Sequence, residues 1–277
     1  EPDDIQDDME DPEPGYVKSK KELKREEKAR ARRMKEEEKE IIQEEQQEVE
    51  GTLKIGIIPT LAPYLLPVFI GPYIRKYPAV KVEVEELVSE EIIRRLKRDI
   101  LDVGLFVTPY HDEKIVERPV FYEEMLVYAH PDCELLKKKE VGHEDIVTSD
   151  IWMLGNGHCF RNQVVNLCEM SASQHKNLPF EFESNSLETL MRIVDVEGGF
   201  TLIPELALQY MSPEKKKQVR SIANTKPLRE VSVIYSRHFT KQRLITLLCD
   251  EIKSVVPAHM LKRDRGMIVE WKAEKNE

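Results

Sequence analysis

The chain has 277 residues, 40% hydrophobic and 34% charged, with a formal net charge of −10. This length supports one or two domains with buried cores, and the acidic balance disfavours binding to polyanionic nucleic acid by the chain alone. No apolar run approaches the roughly 18 residues that span a bilayer, the start is too acidic and polar for a secretory signal, and four cysteines (Cys133, Cys159, Cys168, Cys249) are too few for a disulfide scaffold. A reducing, cytoplasmic setting is therefore expected, in which any disulfide is transient and functional. The first residue is Glu1 rather than Met, which reads as a fragment or a processed chain.

Residues 1–16 hold Asp, Glu and three prolines and read as a disordered acidic tail. Residues 17–50 lack Gly and Pro, are rich in Lys, Glu, Arg and Ala with opposite charges at helical spacing, and predict a charged helix ending in a linker-like segment. Its apolar positions (Leu23, Met34, Ile41, Ile42) are too sparse for a coiled-coil seam. Self-pairing of its charges is favoured over a nucleic-acid or partner contact. From Gly51 the texture changes to alternating strands and helices. Leu53 to Ile58 predicts a strand, followed by a turn through Thr60 and a helix from Tyr64 to Tyr77 that stops at Pro78, with Pro63 near its first turn. Val80 to Leu87 alternates as a strand, and Ser89 to Lys97 reads as a helix with Ser89 as cap. Val103 to Val107, Leu126 to Ala129 and Ile151 to Leu154 follow as strands. Asn185 is expected to cap a helix that Gly198 and Gly199 close, ahead of a strand from Phe200 to Ile203. Val231 to Tyr235 is a late strand and Lys241 to Val255 an amphipathic closing helix. Alternation of this kind implies an α/β protein with mostly parallel sheets.

The chain contains no dinucleotide or phosphate-loop fingerprint, no zinc-type Cys pair and no nucleophile elbow. The informative stretch is Gly155-Asn156-Gly157-His158-Cys159-Phe160-Arg161-Asn162, continuing to Cys168. Glycines ahead of a helix place Cys159 near its amino end, where free N–H groups favour an anion, and His158 and Arg161 flank it. These features favour the thiolate, which is the nucleophile toward peroxide. Nine residues of continuous helix between Cys159 and Cys168 correspond to roughly 13 Å of rise, whereas a disulfide needs Cα atoms within about 7 Å. Joining them requires the helix to give way, which is what a redox switch needs. From spacing alone two readings stay open: a redox pair, or two core cysteines on an ordinary helix. Cys249, within Leu247-Leu248-Cys249, reads as core.

The residues from about Gly51 to Met260 resemble the effector-binding region of LysR-type regulators. The resemblance rests on Ile58 to Pro67 (I-P-T-L-A-P-Y-L-L-P), on Ser186 to Pro204, and on Gly157 to Cys168 (G-H-C-F-R-N-Q-V-V-N-L-C), the last being specific to the peroxide-sensing OxyR branch. The resemblance implies that Cys159 reacts with hydrogen peroxide and Cys168 resolves it into a reversible intramolecular disulfide. Thr60 then binds peroxide, Ser89 stands where the family usually has Thr, and His158 and Arg161 belong to the polar pocket. It implies two Rossmann-like subdomains of the periplasmic-binding-protein type (type 2): 51–126 plus 231–260 as the first, 127–230 with both cysteines as the second, and 261–277 as a tail, with crossings near residues 126 and 231. The implied partners are hydrogen peroxide, a homodimer or homotetramer, and promoter DNA only through a helix-turn-helix that is not recognisable in this chain. No enzyme turnover, cofactor, metal or membrane is implied. The rival readings are a LysR-type sensor of a small metabolite without redox switching, a thiol peroxidase, and a secreted solute-binding protein. The chain lacks the cysteine motif of peroxiredoxins and an export signal, which weigh against the last two.

Overall fold

The computed structural model describes residues 49–146, 151–168, 186–238 and 241–270. The expected acidic tail, nearly all of the charged helix and Asn185 lie outside the described residues. The first strand, β1 (Gly51–Ile57), enters α1 (Ala62–Lys76), whose buried face is Ala62, Tyr64, Leu65, Phe69 and Tyr73. Pro63 sits in the first turn, where a missing N–H costs nothing. Tyr77 donates its N–H to the Tyr73 carbonyl at 3.0 Å, and Pro78 ends the helix as expected. Then follow β2 (Val80–Glu86), α2 (Ser89–Leu96), β3 (Val103–Thr108) and the long β4 (Ile115–Ala129). A short α3 (His143–Ile146) leads to α4 (Cys159–Cys168), and α5 (Leu187–Glu197) leads to β5 (Phe200–Pro204). The chain closes with α6 (Pro213–Lys216), β6 (Val219–Arg220), β7 (Pro227–Ser236), α7 (Gln242–Val255) and β8 (Met267–Ile268).

The strands form a sheet of order β2-β1-β3-β7-β4-β5, with β6 on β4 and β8 on β7. The expectation of mostly parallel pairing is corrected. β1 is parallel to β2 and β3, and β8 is parallel to β7, but β3–β7, β4–β7, β4–β5 and β4–β6 are antiparallel. The reason is β4 and β7, two long strands antiparallel to each other and to β3, β5 and β6. β4 pairs with β7 over Ile115–Glu124 and then with β5 over Met125–Ala129. Its first eleven residues were not expected as strand, because Pro119 and four charged residues break the alternation; Pro119 fits because the register shifts between Pro119 and Phe121. Ile151 to Leu154 is likewise corrected: it makes only one bridge, Ile151 with Phe200, with Trp152 N–H donating to the Phe200 carbonyl at 2.8 Å.

Two caps also differ from expectation. Ser186, not Asn185, accepts the Thr189 N–H at the start of α5. Val88 occupies the cap position of α2 without a side-chain bond, so Ser89 is the first helical residue and its side chain turns inward, 1% exposed. α2 lies close on the sheet at Gly104: a Cβ there would meet Ile92 Cγ2 at 2.6 Å and Ile234 Cγ1 at 2.9 Å. This approach is what carries Ser89 toward the interior.

Candidate functional site

Gly157 takes φ 84 and His158 then offers its carbonyl to the Asn162 N–H, opening α4 so that Cys159 is its first residue. The Cys159 thiol is free and 2% exposed. Burial pushes it above the ordinary thiol value. The Ser89 hydroxyl, the Arg229 guanidinium and the backbone amides of Phe160 and Cys159 pull it back, yet burial prevails. The amide contribution is the helix-terminus effect expected from sequence; the flanking charges alone had pointed to a depressed value, and desolvation reverses the net direction. Ser89 Oγ makes no well-aligned hydrogen bond with a described protein group, so its effect on the sulfur is that of a close polar neighbour.

Arg229 is the residue that sequence reasoning missed. It is fully buried, on β7 directly opposite Glu123 of β4. Arg229 Nε lies 2.8 Å from Glu123 Oε1, with neither side chain exposed. The contact is ionic rather than a well-aligned hydrogen bond. Arg229 Nη1 donates to Thr60 Oγ1 at 3.3 Å, and Nη2 to the Thr60 carbonyl at 3.4 Å. The guanidinium also lies over the Phe160 ring, 5.1 Å from its centroid. One cation thus links the turn after β1, the strand β4 and the first turn of α4. Glu123 Oε2 accepts the Leu206 N–H at 3.1 Å, and burial raises the carboxyl above its usual range against the pull of Arg229. Beside it, Tyr64 donates to Glu188 Oε1 at 2.8 Å, and burial together with that carboxylate pushes the phenol far above its ordinary range.

The structure therefore brings Thr60, Ser89 and Cys159 around Arg229. His158 is buried at 2% exposure, and Arg161 Nη1 donates to the Leu154 carbonyl at 3.0 Å, fixing the chain ahead of the helix. Cys168 ends α4, whose continuous course from Cys159 sets the two Cα atoms roughly 13 Å apart. Cys249 is buried in α7, as expected for a core cysteine. An open depression of about 860 Å³ lies at the other end of α4, lined by His143, Asn166, Leu167, Thr225, Val269 and Glu270 among others. No group of three His, Cys, Asp or Glu among the described residues could hold a metal ion. No helix among them is long and apolar enough to cross a membrane.

A mixed α/β sheet of this order, with a buried thiol at a helix start, is consistent with the type 2 periplasmic-binding-protein architecture seen in bacterial effector domains. Residues 46–257 match the LysR substrate binding domain, and the chain belongs to that family. Within it, the chain is 27% identical over 217 residues to the hydrogen peroxide-inducible genes activator of Haemophilus influenzae, covering 76% of this chain and 70% of that protein. It is 28% identical over 220 residues to the DNA-binding transcriptional dual regulator OxyR of Escherichia coli K12, covering 78% and 70%. OxyR from Porphyromonas gingivalis superposes with a TM-score of 0.72 at 27% identity, over 80% of this chain and 100% of that one. Reduced OxyR from the same organism gives 0.69 at 28% identity, over 78% and 99%.

Two outcomes follow from the buried charges. Arg229→Met leaves Glu123 buried without its cation and is expected to cost about 3–5 kcal/mol of folding stability, read from the urea midpoint. Burial raises both Cys159 and Cys249, the latter to about 11, above the thiol value of 9.0 of an exposed side chain. The folded protein therefore keeps protons that the unfolded chain releases. The associated stability is complete below pH about 9 and is lost as pH rises through the folded values. Urea midpoints measured from pH about 8 to about 11 are expected to fall, and less steeply in Cys249→Ala.

Proposed function

We propose that this chain is the hydrogen-peroxide-sensing regulatory domain of a LysR-type transcription regulator, switched by a reversible disulfide between Cys159 and Cys168. The observation that carries this reading is the position of the two cysteines: first and last residues of one continuous helix, with the Cys159 sulfur enclosed beside Ser89 and Arg229. The names of the relatives, peroxide-inducible activators and OxyR, support it.

Cys159 gives up its proton and its sulfur attacks one peroxide oxygen. The O–O bond breaks, the sulfur is oxidised to sulfenic acid, and the second oxygen leaves as hydroxide that takes the proton to become water. Thr60 and Ser89 offer hydroxyls to hold the peroxide, and Arg229 supplies positive charge to the thiolate and the departing oxygen. His158 and Arg161 shape the start of the helix. The Cys168 thiol then attacks the sulfenic sulfur; the S–S bond forms, the S–O bond breaks and water leaves. Because about 13 Å of helix separates the pair, the second step requires α4 to unwind. That movement is the output. The change of partner along β4 between Glu124 and Met125 supports two subdomains, 51–126 plus 231–260 and 127–230, that this movement reorients. The output passes to a homodimer or homotetramer and reaches promoter DNA only through a helix-turn-helix that is not recognisable in this chain. The protein acts stoichiometrically as a cytoplasmic regulator, not as an enzyme.

One observation favours the rival reading of a metabolite sensor: the thiol is enclosed and its proton is held by burial. Non-reducing peptide mass mapping after one equivalent of hydrogen peroxide separates the two. A Cys159–Cys168 cross-linked peptide, absent in Cys168→Ser, is the expected result. Both thiols free, with ligand-dependent melting unaffected by Cys159→Ser, would replace the switch with metabolite sensing.

A further inference from the structure

The helix that must unwind is tied down at its far end by the last described residues of the chain. After α7 the chain returns and lays β8 alongside β7, pairing Met267 with Pro227 and Ile268 with Leu228, one residue before Arg229. Val269 N–H then donates to the Leu228 carbonyl at 2.8 Å. The return is closely fitted: at Gly266 a Cβ would lie 2.0 Å from the Lys226 carbonyl oxygen, so only a glycine lets the strand pass there. Just past β8 two backbone carbonyls accept from α4. Gln163, fully buried, donates Nε2–H to the Val269 carbonyl at 2.8 Å, and Asn166 donates Nδ2–H to the Glu270 carbonyl at 2.9 Å. Gln163 and Asn166 are three residues apart and so share one face of the helix. On the other side, His143 donates Nε2–H to the Leu167 carbonyl, one of the orphan carbonyls of the final turn.

We infer that Met267–Glu270 is a latch on α4, and that Gln163 and Asn166 are positioning residues that hold the helix wound and so set how readily Cys168 can reach an oxidised Cys159. The inference rests on the switch proposed above, but only for its second step. Both side chains lie inside the stretch that has to lose its helical form, and neither is part of the pocket that holds peroxide. The bonds join side chain to backbone, so they are lost when α4 changes shape and are regained when the disulfide is reduced. The latch strand is also hydrogen-bonded to the part of β7 next to Arg229. The Met267–Glu270 segment therefore spans both ends of the device: the strand that steadies the reactive sulfur and the helix that delivers the resolving one.

The test uses the full chain carrying Asn166→Ala, which is exposed and leaves the core intact, and Gln163→Leu, which keeps side-chain bulk and removes the donor. Amide hydrogen exchange in the reduced protein reads the latch without any oxidation. Stopped-flow kinetics with a sulfenic-acid trap then separates sulfenic acid formation at Cys159 from closure of the disulfide. Each variant is expected to speed exchange of the last turn of α4 by about fivefold, the worth of one net hydrogen bond. Closure should accelerate to a similar degree, with the rate of sulfenic acid formation unchanged. Exchange and closure at wild-type rates in both variants would overturn the latch, as would a change confined to the first step. If Cys159 of the wild-type chain forms no sulfenic acid, the switch reading fails on its own. The exchange arm then still decides whether Met267–Glu270 holds the helix.

Discussion

The site depends on the ion pair between Arg229 and Glu123. Two charges with no exposure face each other across β7 and β4 at aligned positions. Removing such groups from water costs several kcal/mol per ion, and mutual attraction alone does not offset it. The remaining compensation is distributed. Thr60 accepts twice from the guanidinium, the Phe160 ring covers its face, and the Leu206 amide bonds the carboxylate. Each compensating group comes from a different element, so the pair is satisfied only when the turn after β1, the first turn of α4, β4, β7 and the segment after β5 are all in place. The same geometry that makes the pair tolerable assembles the pocket around Cys159.

That pocket balances opposing effects on one sulfur. Enclosure keeps the Cys159 proton on, while Arg229, Ser89 and two amides at the helix start favour its loss. Enclosure prevails, in contrast to an exposed reactive cysteine, whose thiolate forms ahead of any oxidant. Under the proposed function, a thiol held in this way stays reduced against bulky oxidants that cannot enter. It becomes a nucleophile where a small molecule brings both an electrophilic oxygen and an acceptor for the displaced proton. The selectivity then resides in access, and the positive charge of Arg229 stabilises the thiolate and the charge that develops on the departing oxygen.

Much of this was legible in the sequence. The strands β1, β2, β3 and β5 and the helices α1, α2 and α7 stand within one to three residues of where alternation, Pro78 and Gly198 placed them. Thr60, Ser89 and Cys159 come from three distant segments, and Arg229 bonds Thr60 and acts with Ser89 on the Cys159 sulfur. What escaped was whatever depends on strand register. Glu123 and Arg229 each sit beside another charged residue, Glu124 and Glu230, just ahead of the stretches expected as strand, Leu126 to Ala129 and Val231 to Tyr235. Only pairing across β4 and β7 turns them inward as partners. No local pattern distinguishes such a buried charge from an exposed one. Ser89 was misplaced for a related reason. Serine ahead of a helix is ordinarily a cap, and only the close approach of α2 over Gly104 shows that its hydroxyl serves the interior.

The two ends of α4 are held by different forces, and that difference bears on which end moves. At the start, Cys159 and Phe160 are buried and the Phe160 ring lies against a fixed guanidinium. Displacing that end would uncover an aromatic ring, at about 1.5–3 kcal/mol, and would also strip the cover from a buried charge. At the far end Leu167 is buried, but Val165 and Asn166 are more open, and polar bonds from His143, Gln163 and Asn166 carry part of the attachment. Such bonds are exchanged for bonds to water when they open, so each is worth only about 1 kcal/mol net. Releasing the far end uncovers Leu167 but, unlike displacing the start, leaves the cover over the buried Arg229 charge in place. Under the proposed switch the resolving cysteine travels to the reactive one, and the pocket that recognises the oxidant remains standing while it does.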